Sequence, residues 1–323
     1  MKKAISILLS MIFMLSLCAC DTDNSTYSFE KPNYIDDNSN IVFIGNSQLS
    51  YYNSPEMFYN LAKQNGKNVT VNTLFIDGSG LSEHCEEIKN DENKQLILAQ
   101  ADVVVMHDYW MNCLSSQYIE EIKGYCKDET KFYFYLTHYN SGVYADVWKY
   151  SSEDWRKYWE LSGNTLSTSS PYEAWKRYIN DEATDEDIKV LSNNILFAPY
   201  DAYYTDPDLY YIPEGFTFDR LIFNYDFTLE TLIESTDYVH PTVLMSYIDS
   251  LIIYRTLFGE VKSDSDKINA YWDYGYEQPK DVYDVIDKAV EESYNEFYDS
   301  TAKVFEFKSK YDYIDLVDMY GEK

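Results

Sequence analysis

Short apolar runs, β-branched or aromatic, recur along the chain with helical segments between them, and this alternation constrains the fold more than any other feature. The first run, Ile41 to Ile44, stops at Gly45 and Asn46. "VTVNTLFI" from Val69 to Ile76, "DVVVMH" from Asp102 to His107 and "KFYFYLTH" from Lys131 to His138 follow it, and "NILFAPY", Asn194 to Tyr200, reads as a fifth strand. In "NSPEMFYNLAKQNGK", Ser54 suits an N-cap, Pro55 the first helical position and Gly66 the stop, while Phe58, Leu61 and Ala62 make an apolar stripe. Leu81 to Gln100 and Ser116 to Lys127 carry apolar residues at helical spacing. Strands alternating with helices of this length predict an α/β fold with a doubly wound, mostly parallel five-stranded sheet. Helical inserts are expected at about 139–193 and 201–236. A helical extension from about 262 contains "DVYDVIDKAVEESYNEFY" and is expected to cap a single domain spanning 40–323.

Open α/β sheets keep their chemistry in loops at the carboxyl ends of the strands. Ser47, in "IVFIGNSQLS", stands in such a loop. The chain has four histidines: His84, His107, His138 and His240. His240 lies in "STDYVHPTVLMSYIDSLIIYRTLFG", with Asp237 three residues before it and Pro241 after it, ahead of an apolar segment from Val243 to Phe258. A carboxylate at that spacing can accept from one ring nitrogen, which leaves the other to take a proton from a serine. His84 is read as a helix-surface residue, with a place in the pocket wall as the alternative. Cys85, Cys113 and Cys126 cannot all pair within one chain, and their spacing matches no metal-binding motif.

The Gly-Asn-Ser after the first strand and the Asp-x-x-His-Pro before the last apolar helix together resemble the SGNH hydrolases, the GDSL-type esterase superfamily. The match is to a branch of bacterial lipoproteins whose first motif reads Gly-Asn-Ser. The resemblance runs from Asn40 to about Phe258 and implies a flavodoxin-like sheet, with Ser47 as nucleophile and Asp237 and His240 as its partners. In "FIDGSGLSEH" the family's oxyanion glycine falls on Gly78, with Gly80 as the alternative, beside the N–H of Ser47. At the third motif the chain departs from the family's Gly-x-Asn. Here "VVVMHDYWMN" puts Tyr109 in register, and Asn112 and His107 are other candidate donors. The resemblance implies serine ester hydrolysis without cofactor or metal, on a small acyl ester such as an acetylated carbohydrate. The chain holds 34 tyrosines, and an exposed tyrosine face can stack on a sugar ring. One alternative is a glycan-binding surface lipoprotein, catalytically weak or inactive, on the same fold. Another is the solute-binding lipoprotein of a transporter, which a single sheet disfavours.

Lys2, Lys3 and the apolar run Ala4 to Leu17 have the form of a signal peptide. The run ends in "LCAC", which resembles a bacterial lipobox and implies cleavage before Cys20 and lipid on its sulfur. The expected organisation is a signal peptide over 1–19 and a polar tether over 20–39, leaving an extracytoplasmic domain anchored by lipid. With 26 basic and 55 acidic residues the formal charge is −29. Such a chain is repelled by nucleic acid and by anionic head groups, so membrane contact through the lipid alone is expected. Nothing in the sequence points to an oligomeric state.

Overall fold

The computed structural model describes residues 31–108, 116–137, 171–192, 209–234, 240–260 and 280–299. Five strands form one parallel sheet: β1 (Asn40–Gly45), β2 (Thr70–Phe75), β3 (Val103–Met106), β4 (Lys131–Tyr135) and β5 (Leu209–Ile212). Their order is β2-β1-β3-β4-β5, the flavodoxin-like doubly wound order. The register runs Ile41 to Val71 and Val103, and Val103 to Lys131. β1 from Ile41 and all of β3 are buried, as expected of strands covered on both faces. The fold class expected from the alternation of strands and helices is the one observed.

The fifth strand differs from the expectation. It is "LYYI", inside the stretch read as the second insert, and it pairs Phe132 with Leu209 through Tyr135 with Ile212. Leu209, Tyr211 and Ile212 are buried there, so the tyrosines serve the core. Residues 194–200 lie outside the described residues.

The helices, in order, are α1 (Ser47–Ser50), α2 (Ser54–Gln64), α3 (Leu81–Asn90), α4 (Glu92–Ala99), α5 (Ser116–Lys123), α6 (Pro171–Ile179), α7 (Asp185–Ser192), α8 (Glu214–Asn224), α9 (Leu229–Leu232), α10 (Val243–Phe258) and α11 (Lys280–Asp299). The single helix expected over Leu81 to Gln100 divides at Asp91, whose carboxylate accepts from the N–H groups of Asn93 and Lys94 and so starts α4. At α2 the N-cap is Asn53, in the left-handed region at φ 57°, and not Ser54. Ser54 is instead buried, and its hydroxyl donates to Asp249 of α10 at 3.1 Å.

Every residue of α10 is buried, which suits a helix that is apolar on nearly all sides. It packs against α2 and α11. Two nearly buried arginines clasp α11 to the domain: Arg220 of α8 pairs with Glu292 and Glu296, and Arg255 of α10 pairs with Glu291 and lies over the Tyr294 ring. These pairs hold α11 against α8 and α10. The stretch read as tether is, over residues 31–39, packed on the same end. Ile35 is buried and its N–H donates to the Leu257 carbonyl at 2.9 Å, and Tyr34 accepts from Arg255 at 3.2 Å. Among the described residues, no helix is long and apolar enough to cross a membrane.

Candidate active site

Each described segment of the sequence-predicted site lies at the carboxyl edge of the sheet. β1 and β3 flank the point where strand order reverses, the usual place for a ligand crevice. β1 ends at Gly45, and a Cβ there would come within 3.1 Å of Leu49 Cδ1 and 3.4 Å of His107 Cβ. A side chain there would require Leu49 to give by a few tenths of an ångström. Asn46 then breaks the strand with φ −123° and ψ −158°, and its side chain accepts from the Gln48 N–H at 3.0 Å. Ser47 thereby becomes the first residue of α1, half-buried, with its carbonyl accepting from the Tyr51 N–H at 3.1 Å.

Four contacts stitch this turn to the loop after β2 and to α3 beyond it. The buried Asn46 side-chain amide donates to the Ser79 carbonyl at 3.0 Å. The Ser50 hydroxyl donates to Asp77 at 2.7 Å. The Gly45 carbonyl accepts from the Ile76 N–H at 3.1 Å and lies 3.0 Å from His84 Nε2. A carbonyl only accepts, so Nε2 of His84 carries the proton. His84 is buried, contrary to the surface position expected of it, because it shares one face of α3 with Leu81, Cys85 and Ile88. Burial lowers its pKa to about 4, against the pull of the Gly45 carbonyl, so the ring is neutral at pH 7.

Gly78 occupies the left-handed region at φ 70°, and an added Cβ would meet nothing within 4 Å. The backbone path, not space, calls for glycine there. Gly80, the alternative oxyanion donor, caps α3 and already gives its N–H to Glu83 at 3.0 Å. After β3, His107 is buried with Nδ1 3.3 Å from the Tyr135 carbonyl, which turns it toward β4. Asp108 accepts from the Leu81 N–H at 2.9 Å and so fixes the start of α3. Tyr109 and Asn112 lie outside the described residues, as does the lipidation candidate Cys20.

His240 arrives from the other end of the chain. A short antiparallel bridge joins Ile233 to Pro241, with Glu234 N–H to His240 carbonyl at 2.9 Å and Thr242 N–H to Leu232 carbonyl at 2.8 Å. Asp237 falls between these segments, outside the described residues. Thr242 is the N-cap of α10, its hydroxyl accepting from the Met245 N–H, so Pro241 stands just ahead of the helix. The bridge is docked on α1 by two side chains. Tyr52 donates to Glu234 at 2.8 Å, and the Tyr51 ring stacks on the His240 imidazole at 4.3 Å and 8°. The turn that runs from Asn46 to Tyr52 thus carries Ser47 and, through the Tyr51 ring, contacts His240.

Burial raises the thiol pKa of Cys85 and of Cys126 to about 12, so neither is a thiolate nucleophile at neutral pH. Among the described residues, no three His, Cys, Asp or Glu side chains gather as a metal ion would need. Sequence reasoning missed Asn46 as the link between the two loops, His84 as the support of the Gly45 carbonyl, and Tyr51. Of these, His84 was signalled by its place in the 81–84–85–88 stripe.

No protein-family model matches this chain. No curated protein matches it. Among solved structures, it is similar to the crystal structure of a DUF4886 family protein from Bacteroides uniformis, at 13% identity and a TM-score of 0.46, over 88% of this chain and 96% of the other.

Proposed function

We propose that the protein is a serine ester hydrolase of the SGNH type, tethered outside the cytoplasm by lipid on Cys20. The observation that supports this reading is that the turn carrying Ser47 also carries Tyr51, whose ring stacks on His240. In the proposed mechanism Ser47 Oγ attacks the ester carbonyl while His240 takes its proton, with Asp237 orienting the imidazole. The N–H groups of Ser47 and Gly78 receive the oxyanion, and Tyr109 supplies a third donor. His240 then protonates the leaving alcohol, and water attacks the acyl-enzyme with the same histidine as base. The substrate class is a small acyl ester, such as an acetyl group on a carbohydrate. Neither cofactor, metal nor nucleic acid enters the scheme.

The experiment is hydrolysis of p-nitrophenyl acetate and of acetylated oligosaccharides by the full chain, purified in detergent, beside Ser47→Ala. The expected outcome is turnover that falls by about a thousandfold or more in the variant. A second reading, glycan binding without catalysis, is favoured by the missing third-motif Asn, since an oxyanion donor contributes about 3 kcal/mol to the transition state. Equal inertness of parent and variant, with glycan binding retained by both, would establish that reading instead.

A further inference from the structure

Tyr51 is an exposed aromatic residue at the end of the turn that carries Ser47. The residue remains 44% exposed although its ring lies flat on His240. A closed circuit of contacts fixes it there. The Tyr51 N–H donates to the Ser47 carbonyl at 3.1 Å, and the ring meets the edge of Tyr52 at 5.0 Å and 87°. The Tyr52 hydroxyl holds Glu234 at 2.8 Å, and the Glu234 N–H returns to the His240 carbonyl at 2.9 Å. The stack therefore fixes the plane of the imidazole from the same turn that carries Ser47.

The chemistry of such a stack changes during acyl transfer. A neutral imidazole on a phenol ring makes an ordinary aromatic contact. Once Ser47 gives up its proton, the ring on Tyr51 is an imidazolium, and the phenol face attracts it as a cation. An interaction stronger in the transition state than in the ground state raises kcat and leaves KM nearly unchanged.

Resting on the reading of His240 as the base, we infer that Tyr51 is a positioning residue of the reaction, holding the His240 ring and favouring its charged form during proton transfer. The test compares Tyr51→Phe, Tyr51→Leu and Ser47→Ala in the full chain, with kcat and KM measured on p-nitrophenyl acetate. The ring protons of His240, assigned with a His240→Gln variant, are followed by NMR. Tyr51→Leu is expected to lower kcat about tenfold with KM within about twofold, while Tyr51→Phe keeps most of the rate. The His240 ring signals should move downfield in Tyr51→Leu, where the ring current is lost, and stay in place in Tyr51→Phe. Turnover that depends on Ser47 but is equal in parent and Tyr51→Leu overturns this inference and leaves the hydrolase standing. Turnover that does not depend on Ser47 removes the hydrolase reading and the role of Tyr51 with it.

Discussion

His84 joins the helix after β2 to the end of β1 through one hydrogen bond, and its burial makes it a sensor of acid. Its pKa falls from 6.5 to about 4 in the folded chain, chiefly through desolvation, with Lys94 disfavouring the charged ring and Glu87 and Glu83 favouring it. Between those two values the unfolded chain binds more protons than the folded one. The stabilisation from a neutral His84 is therefore complete above about pH 6.5 and lost as pH falls through the folded value. The shift corresponds to about 3 kcal/mol. In His84→Gln, which keeps a donor for the Gly45 carbonyl, this dependence should vanish. Urea unfolding at pH 7 and at pH 4 measures it: the stability advantage of the parent over the variant should shrink by about 3 kcal/mol. An advantage that stays constant with pH would contradict the assignment. The position of His84 was legible in its stripe with Leu81, Cys85 and Ile88, but a histidine is amphipathic and reads equally well as a surface residue. The placements of Ser47 just after β1 and of His240 just ahead of α10 were legible because strand ends and helix starts have strong local rules. Nothing local could announce Tyr51, whose partner comes from the far end of the chain.

At the scale of elements, the strands that were easy to read are those buried on both faces. β1 and β3 are continuous apolar runs, and α10 is an apolar helix bounded by Thr242 and Gly259. β5 escaped because an edge strand of four residues, two of them tyrosines, has no pattern that separates it from an aromatic loop. The docking of α11 depends on charges that sequence alone does not pair. Arg255 is nearly buried, while Glu291 keeps part of its surface in water. The hydrogen bond from Arg255 holds the Glu291 carboxyl below the usual range, against the cost of burial. Arg255→Met keeps much of the stem's packing and removes the charge. It should cost about 2 kcal/mol at pH 7, less than a fully buried pair because Glu291 can rehydrate. A depressed carboxyl pKa stabilises above the unfolded value and ceases to do so as pH falls through the folded one. The penalty in Arg255→Met should therefore diminish below about pH 4.5, the ordinary value for Glu. Chemical denaturation of parent and variant at pH 7 and pH 3.5 checks both the size and the direction.

For the whole molecule, the decisive quantity is the charge of −29, with acidic residues outnumbering basic ones by 55 to 26. The site shares this bias, since Asp77, Glu83, Asp108 and Glu234 all bond to the backbone or side chains that build it. A field of that sign repels an anionic ester during its approach and leaves a neutral one untouched. The Debye length is about 10 Å at 0.1 M salt, so added salt shortens the reach of the repulsion without altering contacts inside the site. Two esters that share an acyl group and differ only in a carboxylate on the alcohol separate these effects. In 10 mM buffer the anionic ester should have a kcat/KM about tenfold below its neutral counterpart, and the gap should close to about threefold or less in 0.5 M sodium chloride. The neutral ester should change little over the same range. An anionic ester hydrolysed as fast as the neutral one at low salt would point to local cationic groups that offset the overall field. That outcome would turn the search for a substrate toward acidic glycans, whereas the expected one confines it to neutral or cationic ones.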